Sequence, residues 1–145
     1  MKVSELLRKK KTQRVFTCSP DDSIQRVAQL VTEHRVGALP VTDPMGKLLG
    51  ILSERDLARA LAERGDQAAG AVVADFMTRD VTVMGPGDSL RDAMRTMGRL
   101  SIRHLPVIQG GALLGVLSQR DVLKAVLDDA QLEIGVLRDV ALSRS

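Results

Sequence analysis

Aromatic side chains are nearly missing from this sequence, which has two Phe, no Tyr and no Trp among 145 residues. Proteins that bind single-stranded nucleic acid usually stack the bases on aromatic rings, so this class is disfavoured. Cysteine and histidine are scarce too, with Cys18 as the one cysteine and His34 and His104 as the two histidines. This composition provides no disulfide framework and too few soft ligands for a typical zinc site.

The sequence also lacks the segments that direct a protein into or across a membrane. No apolar run approaches the roughly 18–20 residues that span a bilayer. The N-terminal stretch MKVSELLRKKK has neither the apolar segment nor the small-residue cleavage site of a secretory signal. Together with the single cysteine, these features predict a cytoplasmic protein with no membrane partner.

Motifs for catalysis are absent as well. The sequence contains no G-x-S-x-G, no P-loop, no H-E-x-x-H and no G-x-G-x-x-G after a strand. With one cysteine and two histidines there is little material for a nucleophile and its base. We therefore expect a protein that is not an enzyme and has no catalytic residue, no catalytic cofactor and no metal site.

The charge is mildly positive, with a formal net charge of +3. Much of it comes from a basic run formed by Arg8, Lys9, Lys10, Lys11 and Arg14. Such a run is compatible with a nucleic-acid contact, but it is more often a solvated connector. We interpret it as a connector, so nucleic acid is a disfavoured partner.

An internal repeat dominates the sequence and decides its organisation. The elements P-x-D-S and LPV recur 66 positions later, and LLGxLSxRD recurs 65 positions later. We expect a first motif at residues 1–64, a linker at 65–72 and a second motif at 73–128. A C-terminal extension, partly helical, follows at 129–145, where Gly135 argues against one continuous helix.

Each repeat shows the same series of local patterns. A short strand (Val15–Thr17, Val81–Met84) precedes a helix with apolar residues at i, i+3, i+4 and i+7. Two strands and a second helix, starting at Ser53 or Ser118, follow. The predicted fold class is therefore α/β (α+β), with tandem β-α-β-β-α repeats. Because each repeat leaves a sheet face open, we expect the two to pack with pseudo-twofold symmetry.

The sharpest local motif is Ser-x-x-Asp at the start of the second helix, formed by Ser53 and Asp56 and again by Ser118 and Asp121. In one interpretation these residues only cap the helix, as in a capping box. In the other, the helix N-terminus attracts phosphate or ribose oxygens and the Asp accepts hydrogen bonds from two hydroxyls. The sequence leaves both interpretations open.

The two repeats differ at the residues just before LPV. The second repeat has Arg103 and His104, where the first has Gly37 and Ala38. Arg beside His is a good clamp for a phosphate, because charged donors make the stronger hydrogen bonds. The alternative is an ordinary solvated strand end. If the pair binds an anion, only one repeat can do so through these side chains.

The repeated P-x-D-S, LPV and G-I/V-L-S-x-R-D motifs resemble the cystathionine-β-synthase (CBS) domain, here as a stand-alone pair called a Bateman module. The resemblance covers about residues 1–128 with both copies in register. It implies binding of an adenosyl ligand such as AMP, ADP or ATP, or in some members NAD or S-adenosylmethionine. It also implies regulation of an attached or partner protein, here unidentified, and a disc-like homodimer.

The resemblance assigns roles to residues of this sequence. Asp121 would hold the ribose with support from Ser118, and the Arg103–His104 pair would hold phosphate with Arg120 nearby. Adenine contacts would come from the other repeat, and the full predicted site is Asp121, Ser118, Arg103, His104, Arg120, Cys18, Ser19 and Ile24. A second, weaker site without a basic pair would consist of Asp56, Ser53, Met84, Gly85 and Leu90.

A homodimer is also expected from apolar positions on the second helix of each repeat, namely Leu57, Ala60, Leu61, Val122, Val126 and Leu127. The predicted function is a regulatory adenine-nucleotide sensor. The alternative is a ligand-free CBS-pair scaffold for dimerisation or interaction, in which Ser-x-x-Asp serves only as a cap.

Overall fold

A computed structural model describes residues 1–9 and 15–143 of the chain. Lys10, Lys11 and Arg14, three members of the predicted basic run, lie outside the described residues. Helices and strands alternate in the order α1 (Val3–Lys9), α2 (Ile24–His34), β1 (Ala38–Thr42), β2 (Leu48–Ser53), α3 (Glu54–Arg64), α4 (Leu90–Leu100), β3 (His104–Gln109), β4 (Ala112–Ser118) and α5 (Gln119–Ser143). Short 3-10 turns lie at Gly65–Gln67 and Val73–Asp75. The predicted mixture of helices and short strands is confirmed.

The chain forms two compact units assembled from interleaved segments. The described residues of unit 1 are 1–9, 84–105 and 117–143, and those of unit 2 are 15–83 and 106–116. Strands β1 and β2 form one two-stranded sheet, and β3 and β4 form another.

The sheet of unit 2 is an antiparallel hairpin in which Ala38 pairs with Ser53 and Val41 with Gly50. A bulge follows between Val41 and Thr42. One isolated bridge lies on each side, from Cys18 to Val41 and from Thr78 to Ile51. The sheet packs in a core shared with α2 and α3, whose largest buried side chains include Phe76, Leu39 and Leu52.

The first predicted strand of each repeat is reduced to a single bridge residue, so the expectation of strands at Val15–Thr17 and Val81–Met84 is wrong in extent. In unit 2 the Cys18 amide donates to the Pro40 carbonyl at 3.0 Å, and the Thr42 amide donates to the Cys18 carbonyl at 2.9 Å. In a parallel ladder the next donor toward Phe16 is the amide of residue 40. Proline has no N–H, so the pairing ends there.

In unit 1 the N-terminal segment lies along the turn before α4. The Val3 amide donates to the Asp88 carbonyl at 2.8 Å, and the Leu90 amide donates to the Met1 carbonyl at 3.0 Å. Unit 2 repeats this arrangement, because the Val73 amide donates to the Asp22 carbonyl at 2.9 Å. The segments that begin at Val3 and Val73 therefore occupy equivalent positions, before α4 and before α2 respectively.

Helix α5 differs from the expectation for the C-terminal extension. It continues without a break from Gln119 through Gly135 to Ser143. The described part of the C-terminal extension is therefore a continuation of α5. A helical Gly costs about 1 kcal/mol relative to Ala, and good helix formers in the adjoining turns, Leu132 and Glu133 before Gly135 and Leu137 and Arg138 after it, offset that cost. Val122 is buried, whereas Leu127, Leu132 and Leu137 are exposed.

The apolar positions expected at a dimer interface fall into two groups. Ala60 and Val122 are buried and Leu57 and Val126 are half-buried, while Leu61 and Leu127 are exposed. Burial within the chain removes Ala60 and Val122 from any docking surface. The dimer itself stays a prediction.

Candidate functional site

The start of α3 is a complete capping box in which Asp56 is fully engaged. The Asp56 carboxylate accepts hydrogen bonds from the Ser53 amide at 2.9 Å and the Ser53 hydroxyl at 3.1 Å through one oxygen. Its other oxygen accepts from Arg59 Nη2 at 3.3 Å. Arg59 in turn donates to the Phe76 carbonyl at 2.8 Å and lies over the Phe76 ring. Asp56 is buried. Its negative charge is stabilised by Ser53 and Arg59, which belong to the same unit.

The start of α5 uses the same residues with more of the carboxyl group exposed. The Ser118 hydroxyl donates to the Asp121 carboxylate at 2.6 Å and accepts from the Asp121 amide at 3.2 Å. Asp121 and Ser118 are half-buried. The capping role of Ser-x-x-Asp is thus observed in both repeats.

Arg103 is positioned beside the N-terminus of α5 by its own backbone. The Gln119 amide, the first of α5, donates to the Arg103 carbonyl at 2.8 Å. In the first repeat the equivalent bond runs from the Glu54 amide to the Gly37 carbonyl at 3.0 Å. Arg103 is exposed and His104, which begins β3, is half-buried. Within unit 1 the structure therefore brings a basic residue next to the helix start that carries Asp121.

The remaining predicted members of these groups lie on neighbouring parts of unit 1. Arg120 is exposed in the first turn of α5. The Gly85 amide donates to the Asp88 carboxylate at 2.8 Å in the turn before α4, and Met84 precedes it. Leu90 begins α4 and is buried, so it acts as a core residue within the chain.

A cavity of about 260 Å³ opens in unit 2 where the chain passes Cys18. Its lining consists of Thr17, Cys18, Ser19, Asp22, Thr42, Asp43 and Pro44. This volume lies below the roughly 300–1,000 Å³ of typical ligand pockets, so it suits one ring system rather than a complete nucleotide. Cys18 and Ser19 were predicted to contact a ligand, and both line the cavity.

Two carboxylates in the cavity wall were not predicted as site residues. Asp22 accepts from the Ser19 amide at 2.8 Å. Asp43 accepts from the amides of Met45 and Lys47, both at 2.9 Å. Because these bonds hold the carboxylates in place, the cavity has a rigid acidic rim. Each residue lies within two positions of a proline, Asp22 after Pro20 and Asp43 before Pro44, and this turn signal in the sequence could have found them.

The Cys18 thiol is buried at the base of this wall. Burial, together with a smaller effect of the negative charge of Asp22, raises the pKa of Cys18 to about 12. The thiolate is therefore scarce at neutral pH, and Cys18 acts as a small apolar residue. Ile24, the third predicted adenine contact, is buried in the core at the start of α2 and does not appear in the cavity lining.

Both predicted ligand sites draw residues from both units. Asp121, Ser118, Arg103 and His104 belong to unit 1, whereas Cys18, Ser19 and Ile24 belong to unit 2. Likewise Ser53 and Asp56 belong to unit 2, and Met84, Gly85 and Leu90 to unit 1. That each group forms a single site stays a prediction.

Across residues 1–9 and 15–143, the His, Cys, Asp and Glu side chains form no cluster suited to a metal ion. In the same part of the chain, no helix combines the length and the apolar character needed to cross a membrane.

Comparison with known proteins connects this geometry to a family. Residues 3–63 and 73–128 each match the family model described as CBS domain. The sequence is 32% identical over 127 residues to protein MJ1225 of Methanocaldococcus jannaschii. This alignment covers 88% of the chain but 45% of MJ1225, so the chain spans less than half of that relative's length.

Two solved structures extend the comparison to three dimensions. The CBS-domain containing protein ATU1752 from Agrobacterium tumefaciens matches with a TM-score of 0.81 and 37% identity, covering 86% of this chain and 98% of that one. The structure of CBSX2 in complex with AMP matches with a TM-score of 0.74 and 29% identity, covering 89% and 98%.

Proposed function

This chain belongs to the CBS domain family and carries two CBS motifs, and from this premise we propose that it is a regulatory sensor of an adenosyl ligand, with AMP, ADP or ATP as the preferred class. NAD and S-adenosylmethionine are the other candidates. The role is regulatory rather than catalytic, and the regulated protein is a partner still to be identified. The sequence also predicts a cytoplasmic location and a homodimer.

The observation that carries the proposal is the placement of Arg103 at the start of α5. The bond from the Gln119 amide to the Arg103 carbonyl fixes this residue near Ser118 and Asp121. An exposed arginine whose backbone lies at a helix N-terminus favours a phosphate, because the guanidinium and the helix end both attract negative charge. Asp121 is an acceptor for ribose hydroxyls at the same helix end. His104 and Arg120 add donors for the phosphate.

The acidic cavity in unit 2 is suited to the base of the ligand and not to its phosphate. Asp22 and Asp43 on its rim disfavour a phosphate but accept hydrogen bonds from an amino group, such as that of adenine. Cys18 contributes an apolar wall, since its thiol stays protonated. CBSX2, a relative with 29% identity, is known in complex with AMP, which supports an adenosyl ligand of this class.

The second site, with Ser53, Asp56, Met84, Gly85 and Leu90, is proposed to bind phosphate poorly. Gly37 and Ala38 replace the basic pair there, and Asp56 is already bonded to Ser53 and Arg59. We therefore expect one tight site per chain.

Titration calorimetry with AMP and with adenosine tests the proposal. Arg103→Ala is expected to weaken AMP by about 10- to 100-fold and to change adenosine binding little, because a hydrogen bond to a charged group contributes roughly 1.5–3 kcal/mol. Arg91→Ala, which removes an exposed arginine of α4 in the same unit, is the matched control and should leave both affinities unchanged.

A thermal-unfolding panel separates the proposal from its alternatives. AMP, ATP, NAD and S-adenosylmethionine are compared with GMP, and a ligand at 100 times its dissociation constant should add about 2.7 kcal/mol to stability. No shift from any adenosyl compound would favour the ligand-free scaffold. Salt-sensitive DNA binding that disappears when Lys9, Lys10 and Lys11 are replaced would favour a nucleic-acid role.

A further inference from the structure

Helix α5 has an exposed row of apolar side chains along one side, which we call the α5 seam. Leu123, Leu127, Ile134 and Leu137 are all exposed large hydrophobic residues. The seam consists of Leu123, Leu127, Ala130, Ile134, Leu137 and Ala141, of which Ala130 is half-buried and the other five are exposed. Contiguous exposed apolar rows of this kind are a mark of interaction surfaces.

The spacing of the seam is that of a coiled coil. Successive members are separated by four, three, four, three and four residues, which is the alternation of a and d positions in a heptad repeat. At 100° per residue all six side chains fall within an arc of about 80°. At a rise of 1.5 Å per residue, the seam is about 27 Å long. A partner helix crossing at a small angle can cover such a row along its whole length.

A second apolar row on α5 does not have this property. Leu132, Val136 and Val140 are also exposed, but they are separated by four residues each time. This spacing drifts by about 40° per step around the helix, so the row does not form a straight stripe. A partner helix would therefore find no heptad repeat along this row.

The charges beside the seam select a second copy of this chain as the occupant. With Leu127 and Ile134 at a positions, Glu133 is a g residue and Arg138 is an e residue. In a parallel pair a g residue faces the e residue five positions later on the other helix. Glu133 of one copy therefore meets Arg138 of the other, and the twofold symmetry makes this ion pair twice.

The opposite orientation lacks this match. When two such helices run antiparallel, e residues face e residues and g residues face g residues. Lys124 would then approach Arg138 of the other copy, and the two Glu133 side chains would approach each other. Ile134 at an a position followed by Leu137 at a d position is in addition the combination that favours parallel two-stranded coils.

We propose that the α5 seam is the docking site for a second copy of this chain, forming a parallel two-stranded coiled coil. The proposal deepens the dimeric part of the proposed function by naming the surface and orientation. It does not depend on the ligand, so the two can fail separately.

Two leucines with equal exposure provide a matched test. Leu137 lies in the seam and Leu132 lies on the far side of α5, and both are 68% exposed. Leu137→Glu is expected to raise the dimer dissociation constant at least about 100-fold in sedimentation velocity, because two buried leucines are lost per dimer. Leu132→Glu should change it less than about threefold. A wild-type monomer at 100 µM, or equal effects of the two variants, overturns the proposal.

Oxidative cross-linking tests the orientation. A parallel coil places residue 137 opposite its own copy, within reach of a disulfide, whereas an antiparallel coil separates the two by more than the roughly 7 Å limit. Leu137→Cys should therefore form a covalent dimer under mild oxidation. Leu132→Cys and the wild type, whose Cys18 is buried, should not. Failure of Leu137→Cys to cross-link overturns the parallel geometry.

Ligand binding by the monomeric variant keeps the two proposals apart. Leu137→Glu should retain the wild-type stabilisation by AMP, because the seam contains none of the proposed ligand contacts. Should Leu137→Glu fail to fold, the cross-linking of Leu137→Cys still decides the docking proposal. If AMP does not stabilise the wild type, the ligand proposal fails and the docking proposal is unaffected.

Discussion

Asp56→Asn is expected to lower the free energy of unfolding by about 2 kcal/mol, although it exchanges only one non-hydrogen atom. Asp56 is 6% exposed and accepts three hydrogen bonds, two from Ser53 and one from Arg59. Asparagine keeps one acceptor oxygen but loses the charge that pairs with Arg59. It also places an amide donor where Ser53 or Arg59 presents another donor.

The magnitude follows from the number and kind of bonds affected. The one acceptor oxygen of asparagine can keep the two bonds from Ser53, but its amide group then faces Arg59 and the bond from Arg59 is lost. A hydrogen bond to a charged group contributes roughly 1.5–3 kcal/mol, so we expect a net loss of about 2 kcal/mol. For a chain of this size, each kcal/mol lowers Tm by about 4 °C, so Tm should fall by about 8 °C.

Asp92→Asn is the matched control, because Asp92 holds the same position in α4. It is the third residue of the helix, its amide donates to the Ser89 cap at 3.0 Å, and it pairs with Arg95 at 3.4 Å. The Asp92 side chain is 58% exposed, so water screens this pair. Exposed ion pairs contribute about 0.2–1 kcal/mol, and Tm should fall by no more than about 4 °C.

Scanning calorimetry of Asp56→Asn, Asp92→Asn and Asp121→Asn, each with and without AMP, decides the matter. Asp121→Asn should weaken AMP by about 10- to 100-fold, whereas Asp56→Asn should leave AMP affinity within about threefold. Equal Tm losses for Asp56→Asn and Asp92→Asn would refute the burial reasoning. Equal losses of affinity for Asp56→Asn and Asp121→Asn would refute the assignment of one tight site.

Two further predictions rest on single contacts. Gly50→Ala should destabilise the protein by about 1–3 kcal/mol, because a Cβ would lie 2.7 Å from the Thr78 carbonyl oxygen; Gly87→Ala, with open space around it, is the control in urea unfolding. Cys18 should react with iodoacetamide at pH 8 about 1,000-fold more slowly in the folded than in the unfolded chain, since its pKa is about 12. The rate of this reaction in the folded chain should rise about tenfold per pH unit. Because the Cys18 pKa is higher in the folded than in the unfolded chain, the free energy of unfolding should fall as the pH rises from about 9 to 12. A pH-independent rate would contradict the Cys18 pKa.

The helix starts were predictable because capping is a local event. Ser53 was identified from the sequence as a cap, and Ser23 and Ser89 are the serines of the repeated P-x-D-S motif; each accepts an amide hydrogen bond at the start of its helix. The carboxylates of Asp22 and Asp88, the acidic residues of the same motif, accept hydrogen bonds from residues three positions earlier, the amides of Ser19 and Gly85. Both interactions span three residues, so the sequence limits the partners to a few.

Features that depend on distant partners were harder to predict. The strand expected at Val15–Thr17 shrinks to one bridge because its neighbour in space is Pro40, which is far away in the sequence. The cavity near Cys18 depends on the approach of Thr42 and Asp43, which periodicity does not indicate. The Arg59–Asp56 pair, by contrast, follows the i, i+3 rule for helices and was available from the sequence.

The duplication preserves the backbone and the Ser-x-x-Asp cap of the helix start, while the side chains around it diverge. Glu54 and Gln119 donate the first helical amide to the carbonyls of Gly37 and Arg103, at 3.0 and 2.8 Å. Because the main chain is alike, the difference between the repeats at this place lies in the side chains. In the first repeat Arg59 pairs with the Asp56 carboxylate, and we expect Asp56 to contribute to the stability of the fold. In the second, Arg103 adds positive charge beside the helix end that carries Asp121, which suits an anionic ligand.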